Sequence, residues 1–291
     1  MSDTAAQPSG ILYVVGTPIG NLEDITLRAL RILREVDAIL AEDTRHTKKL
    51  CERHTIGTRL RAYHAHSNDS LTEKIVGELK AGARLALVSD AGSPLISDPG
   101  ASLVAACVAA GVRVESIPGA SAVISAVTVA GLRSDSFRFV GFLPRSGSSR
   151  KEALEHIRRD TITTVFFESP QRLLATLRDL EALLGPARRI AVCRELTKAY
   201  EEVVRGIPAE VAAHFADGAR GEIAIVVEGL DESEALYAAK PVIDDKAIVQ
   251  RIHSLAAEGT SKRDIAKMFV DEYALSKNDA YARVLGALDE R

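Results

Sequence analysis

The stretch Arg84–Gly111, RLALVSDAGSPLISDPGASLVAACVAAG, constrains the fold more than any other part of the chain. A short apolar run leads straight into a loop holding Asp90, Asp98, Ser89, Ser93, Ser97, Pro94, Pro99, Gly92 and Gly100. An alanine-rich segment follows and stops at Gly111. A run of this length bounded by turn residues predicts a buried strand, and the longer segment a helix (100–111). The same grammar recurs. ILYVVG (11–16) predicts a strand and TLRALRILREV (26–36) a helix capped by Asp24 or Thr26. DAILAE (37–42) predicts a strand, SLTEKIVGELKAG (70–82) a helix, and VRVESIPG (112–119) a strand. Strand and helix in alternation predict an α/β fold with a largely parallel sheet and helices on its faces.

A second alternating series starts at FRFVGFLP (137–144) and runs through TTVFFES, RIAVCREL and GEIAIVVEG. LPRSGSSR (143–150) reads as a mobile loop, on which Arg145 and Arg150 are candidates to clamp a polyanion. From Asp244 on the pattern is purely helical, with helices expected at about 245–257, 261–273 and 278–289, a helix-turn-helix-like layout. Eight Lys/Arg face nine Asp/Glu over 241–291, and that balance weighs against a DNA reader. The expected organisation is a disordered tail (1–10), an N-terminal α/β domain (11–133), a second α/β domain (134–232) and a helical module (241–291).

The net charge of -3 gives no global signature for nucleic acid or membrane. Cys51, Cys107 and Cys193 are far apart and sit near apolar runs, which predicts buried thiols and neither a disulfide framework nor a zinc site. No apolar run approaches bilayer length, and the polar start lacks the basic flank and apolar core of a signal peptide. A cytoplasmic protein without a bound metal is expected.

Three loops follow strands in one register: VVGTPIGNLEDIT (14–26), SDAGSPLISDPG (89–100) and SIPGASAVISA (116–126). In a parallel sheet such loops lie beyond the carboxyl ends of the strands, where ligands gather. The first is neither a Walker loop nor GxGxxG. Pro18 stands in the place of the middle glycine and removes an N–H that a pyrophosphate would need. The ligand is therefore expected to be held by something other than phosphate. A capped turn is the plain alternative for each loop taken singly.

These loops, with AEDTRHT (41–47), RELTK (194–198) and GEIAIVVEG (221–229) in this order, resemble the tetrapyrrole-methylase superfamily. The run GTPIGNLEDIT followed by AEDTRHT is most similar to the branch that methylates a cytidine ribose 2′ oxygen in small-subunit ribosomal RNA. In the corrin and siroheme branches the first loop is usually of a Gly-x-Gly-Pro-Gly type and the second holds Gly-Asp-Pro. Gly16-Thr17-Pro18-Ile19-Gly20 and Gly92-Ser93-Pro94 stand here. The resemblance implies a two-lobed enzyme using S-adenosyl-L-methionine in a cleft between the lobes, usually a homodimer. It implies cofactor contacts from Pro18, Ile19, Ser93, Ile96, Ala122 and Val123. From the second lobe it implies Phe167, Leu196, Glu222 and Ala224.

For such a reaction the hydroxyl proton needs an acceptor. Glu42 and Asp43 are candidates to accept it or hold the ribose, His46 has a suitable intrinsic pKa, and Arg45 is suited to grip a phosphate. Lys198 is a candidate to face the substrate from the second lobe. Across 45–61 six Lys/Arg oppose only Glu52, a local +5 that would draw small-subunit rRNA or the assembled subunit. His64, His66 and Asn68 read as hydrogen-bonding or RNA contacts. The alternatives are a solvated, capped helix start, a tetrapyrrole C-methyltransferase, and a nucleic-acid-binding regulator.

Overall fold

The structure, a computed structural model, describes residues 10–64, 67–185, 187–230, 245–273 and 277–289. The expected tail up to residue 9, and His66, lie outside the described residues.

The first sheet is parallel throughout, in the order β3-β2-β4-β1-β5, from β1 (Ile11–Val15), β2 (Ala38–Ala41), β3 (Leu60–Ala62), β4 (Arg84–Val88) and β5 (Arg113–Ile117). The connections carry α1 (Leu27–Glu35), α2 (Thr44–Arg53), α3 (Asp69–Lys80) and α4 (Ala101–Ala109). Ile32, Leu33, Leu50 and Cys51 of α1 and α2 cover one face of the sheet, and Ile75, Leu79, Leu103 and Cys107 of α3 and α4 the other. Thr26 caps α1 by accepting from the Ala29 N–H, which leaves Asp24 out of that role. Asn68 caps α3 in the same way, so its side chain is spent on the helix rather than held out for RNA.

The second sheet departs from the expected parallel arrangement. Its order is β6-β7-β10-β8-β9, from β6 (Phe137–Phe142), β7 (Thr163–Glu168), β8 (Ile190–Arg194), β9 (Glu202–Gly206) and β10 (Ile223–Val227). Only β6 and β7 pair in parallel; the other three pairings are antiparallel. The cause lies in the connections. Residues 195–201, without a helix, join β8 to β9, and a parallel crossover needs about a dozen residues or more. Three helices accompany this sheet in sequence, α6 (Gly147–Arg159), α7 (Pro170–Leu184) and α8 (Pro208–His214). An earlier helix, α5 (Ala122–Ala130), also serves it: Val123, Ala126, Val127 and Ala130 pack with Val165, Ala191, Ala224 and Val226.

LPRSGSSR is not a free loop, because α6 already begins at Gly147. Arg150 donates to Asp179, Thr176 and the Pro144 carbonyl, with its side chain only 12 % exposed, and so is not available as a clamp. Arg145 remains exposed.

Both sheets and their helices, except the end of α6, form one compact unit; a second comprises His156–Thr161, which includes that end, and the chain from Gly229 on. In the latter, α9 (Asp245–Ala257), α10 (Lys262–Tyr273) and α11 (Lys277–Asp289) fall within a residue of the expected spans. Their own core includes Ile248, Ile252, Ile265, Phe269 and Val284. Among the described residues no helix is long and apolar enough to cross a membrane. All three cysteines are free and buried.

Candidate active site

The three loops beyond β1, β4 and β5 are stitched together by backbone. The Thr17 N–H donates to the Gly92 carbonyl (2.8 Å), and the Gly92 N–H donates to that of Pro18 (3.4 Å). The Thr17 hydroxyl, almost wholly buried, donates to the Ser89 and Gly92 carbonyls. The Gly16 N–H donates to the Ile117 carbonyl (2.9 Å). Gly16 and Gly119 touch so closely that a Cβ on Gly119 would lie 2.7 Å from the Gly16 carbonyl. Gly119→Ala is therefore expected to push the first and third loops apart and to destabilise by about 1–3 kcal/mol. A lowered denaturation midpoint at unchanged m-value checks it.

Between these loops and the second sheet lies a cavity of about 330 Å³, a size suited to a small organic ligand. Ile19, Val123, Cys193, Leu196 and Ala224 form a buried floor; Ile96 and Phe142 form an exposed rim. Of the ten residues expected to touch a cofactor, nine line it: Ile19, Ser93, Ile96, Ala122, Val123, Phe167, Leu196, Glu222 and Ala224. Pro18 does not; its carbonyl accepts from the Gly92 N–H and helps hold the first loop to the second. Backbone strain gathers here as well. Among the described residues five non-glycines have left-handed φ, and four of them, Leu95, Ser97, Glu195 and Thr197, sit in loops that face the cavity. Glu195 and Thr197 flank Leu196 and set its side chain into the floor.

No Lys or Arg is among the described residues lining the cavity, but three carboxyls are. Glu168 is fully engaged with the Ser169 N–H, the Thr176 hydroxyl and Arg172. Glu222 forms an ion pair with Lys198 at 3.2 Å. Asp98 has no ion pair among the described residues. Burial, the nearby Glu42 and Asp90 push its pKa up to about 6, against a smaller opposing effect of a hydrogen bond from Ser89. Glu42 is raised too, by burial and Asp90, with His64 opposing.

The residues after β2 divide into different tasks. Asp43 is the N-cap of α2 and accepts from the Arg45 N–H (2.8 Å), Nε (3.1 Å) and Nη2 (2.7 Å), while its own N–H donates to Asp90 (3.1 Å). The Arg45 hydrogen bonds hold its carboxyl down at about 2. Arg45 is 89 % exposed and His46 is exposed; neither lines the cavity. Lys198 lies against Gly20 of the first loop and donates to Glu195 (2.8 Å). Burial pulls its pKa down, but Glu195 and Glu222 outweigh that and leave the ammonium above its ordinary value.

The basic run 45–61 does not form a single patch beside the site. Arg59 and Arg61 sit with Asp37 and Glu78 near the starts of β2 and β4, the opposite end of the parallel sheet, and Arg61 is paired with Glu78. Arg45, Lys48, Lys49 and Arg53 stay on α2; Lys49 and Arg53 are exposed without an ion pair among the described residues.

The sequence profile of the family described as Tetrapyrrole (Corrin/Porphyrin) Methylases matches residues 11–212. The chain belongs to this family. Two relatives, each called Ribosomal RNA small subunit methyltransferase I, match this tetrapyrrole-methylase member over nearly its whole length. The one from Bacillus subtilis is 44 % identical, covering 97 % of both chains. The one from Halalkalibacterium halodurans is 43 % identical, covering 94 % of this chain and 93 % of the other. Among solved structures, the uroporphyrin-III C-methyltransferase from Thermus thermophilus complexed with S-adenosylhomocysteine shares the fold, with a TM-score of 0.53 at 20 % identity. It covers 74 % of this chain and 96 % of that one. Within this methylase fold, Asp98 and Phe142 line the cavity in addition to the residues expected from the motifs. Asp98 was visible in the loop motif; Phe142 had no local signal.

Proposed function

We propose that the chain transfers a methyl group from S-adenosyl-L-methionine to the 2′ oxygen of a cytidine ribose in small-subunit ribosomal RNA, acting in the cytoplasm as a homodimer. The observation that carries this is the likeness, over nearly the full chain, to proteins called Ribosomal RNA small subunit methyltransferase I. The finer reading, ribose and cytidine, rests on the resemblance of GTPIGNLEDIT and AEDTRHT to that branch.

The cavity's chemistry fits the cofactor. An apolar floor without cations suits a nucleoside that has no phosphates, and a carboxyl-bearing lining suits a positive sulfonium. Bound there, the cofactor supplies a methyl group already activated by its charge. Ile19, Val123, Leu196 and Ala224 would hold its apolar surface; Ser93, Ala122, Phe167, Ile96 and Glu222 complete the lining. The chain's remaining task is to take the hydroxyl proton. Asp98 is the group we assign to that task, since Glu168 and Glu222 are already paired. Glu42 sits beside it and, with Asp90, keeps its carboxyl poised. Asp43 fixes Arg45, which with Lys49 and Arg53 would hold phosphates, and His46 lies on the same helix. Lys198 ties the first loop to β10 and faces the arriving strand.

Titration calorimetry with S-adenosylhomocysteine tests the cofactor half of this reading. Saturable binding at one site per chain is expected; folded protein that gives no heat would overturn it. Sedimentation at twice the chain mass checks the dimer.

A further inference from the structure

Phe142 is 57 % exposed, yet it lines the cavity. A regular strand would not put it there. Along β6, Phe137, Phe139 and Gly141 are half-buried, while Arg138, Val140 and Phe142 alternate outward. In an unbroken pleat Phe139 and Phe142 point to opposite faces. Between Phe139, opposite Val165, and Phe142, opposite Phe167, β6 advances three residues while β7 advances two. This is a bulge, and Gly141 with φ +70° supplies its left-handed residue. The result is that both rings meet Phe167 edge-on, Phe139 at 4.9 Å and Phe142 at 5.5 Å between centroids.

The backbone that carries the ring is also held firmly. Arg172, paired with Glu168, donates to the Leu143 (2.8 Å) and Pro144 (3.2 Å) carbonyls just beyond it, and Arg150 donates to Pro144 as well (3.2 Å). Gly141 adjoins the Ser97 hydroxyl, so the ring stands beside the loop that carries Asp98. A bulge that re-aims an aromatic, a backbone clamped by two arginines and a ring left open to solvent make a platform for a flat group arriving from outside.

We propose that Phe142 stacks on the nucleobase of the target nucleotide, so that the attached ribose comes to Asp98. This rests on the RNA-methylation reading above. For the cofactor's adenine the buried floor of Leu196, Ala224 and Val123 offers the apolar seat, which leaves the exposed ring of Phe142 to the incoming base.

The test compares wild type with Phe142→Ala and Phe142→Tyr, measuring affinity for single-stranded small-subunit rRNA fragments, KM for small subunits, S-adenosylhomocysteine affinity and sedimentation. For Phe142→Ala, RNA affinity is expected to fall and KM to rise by about 5- to 150-fold, the range for loss of one base–aromatic stack. Cofactor-product affinity and mass should stay unchanged, and Phe142→Tyr should restore binding. Weakened S-adenosylhomocysteine binding with unchanged RNA affinity would assign the ring to adenine and overturn the proposal. A changed oligomeric state would assign it to a subunit contact, and no change in any readout would make it idle; both also overturn it. Wild type that binds RNA through Phe142 but transfers no methyl would refute the reaction and spare the platform; wild type that binds no RNA would refute both.

Discussion

Asp98→Asn is expected to lower kcat by about 10²- to 10⁴-fold, the usual contribution of a positioned general base, while S-adenosylhomocysteine still binds. The same change should raise stability. In the fold this carboxyl titrates at about 6 against an ordinary 3.8, for burial and two neighbouring acids penalise its charge. The folded protein therefore holds this proton more tightly than the unfolded chain. The carboxyl costs nothing below about pH 4; stability falls as pH climbs from there to about 6 and stays reduced above. Asparagine removes that penalty, giving a gain on the order of 1 kcal/mol at neutral pH once solvent screening of this partly exposed group is allowed for. The gain should vanish below about pH 4. In wild type, kcat/KM should rise with pH to a plateau above about 6, and the variant should lack that limb. A higher midpoint together with lost turnover separates a reacting group from a structural one. Full activity in Asp98→Asn would remove it from the chemistry.

The largest expected stability effect belongs to Glu168. Its side chain has no exposure at all; its two oxygens accept from the Ser169 N–H (2.7 Å) and the Thr176 hydroxyl (2.7 Å), and one lies 3.1 Å from Arg172 Nε in an ion pair. It joins the end of β7 to the first two turns of α7 and, through Arg172, to the Leu143 and Pro144 carbonyls. Glu168→Ala strips two donors of their acceptor and leaves an arginine without its counter-charge, a loss of about 3–5 kcal/mol. Glu168→Gln keeps an acceptor and should lose less. Urea unfolding of both variants measures this; an alanine variant as stable as wild type would show that the carboxyl does not hold this junction.

What the sequence disclosed follows a physical rule. Glycine, proline and small residues after an apolar run mark backbone that must turn tightly beside something, and that signal is local. The three loops, and Ser93 in the second, were legible for this reason, and so were the three C-terminal helices, whose apolar period is local too; Ile19, Ala122 and Val123 were named only by the resemblance to the family. Contacts set by distant chain were not legible. The extra residue of β6 shows only in its register against β7, so Phe142 carried no mark. Asp90 and Asp98 look alike in SDAGSPLISDPG, but the left-handed turns at Leu95 and Ser97 decide which one meets the cavity. Arg61 counted toward a basic patch until Glu78, seventeen residues on, took its charge. Strand β9 was missed because EEVVRG is polar, half-buried edge backbone whose partner β8 makes it a strand.

Transfer to the ribose is measured by incubating the protein and methyl-labelled S-adenosylmethionine with small ribosomal subunits from cells that lack it, then digesting the RNA to nucleosides. Label is expected in 2′-O-methylcytidine alone. Label on a base, on ribosomal protein, or only on an added porphyrin precursor would contradict it.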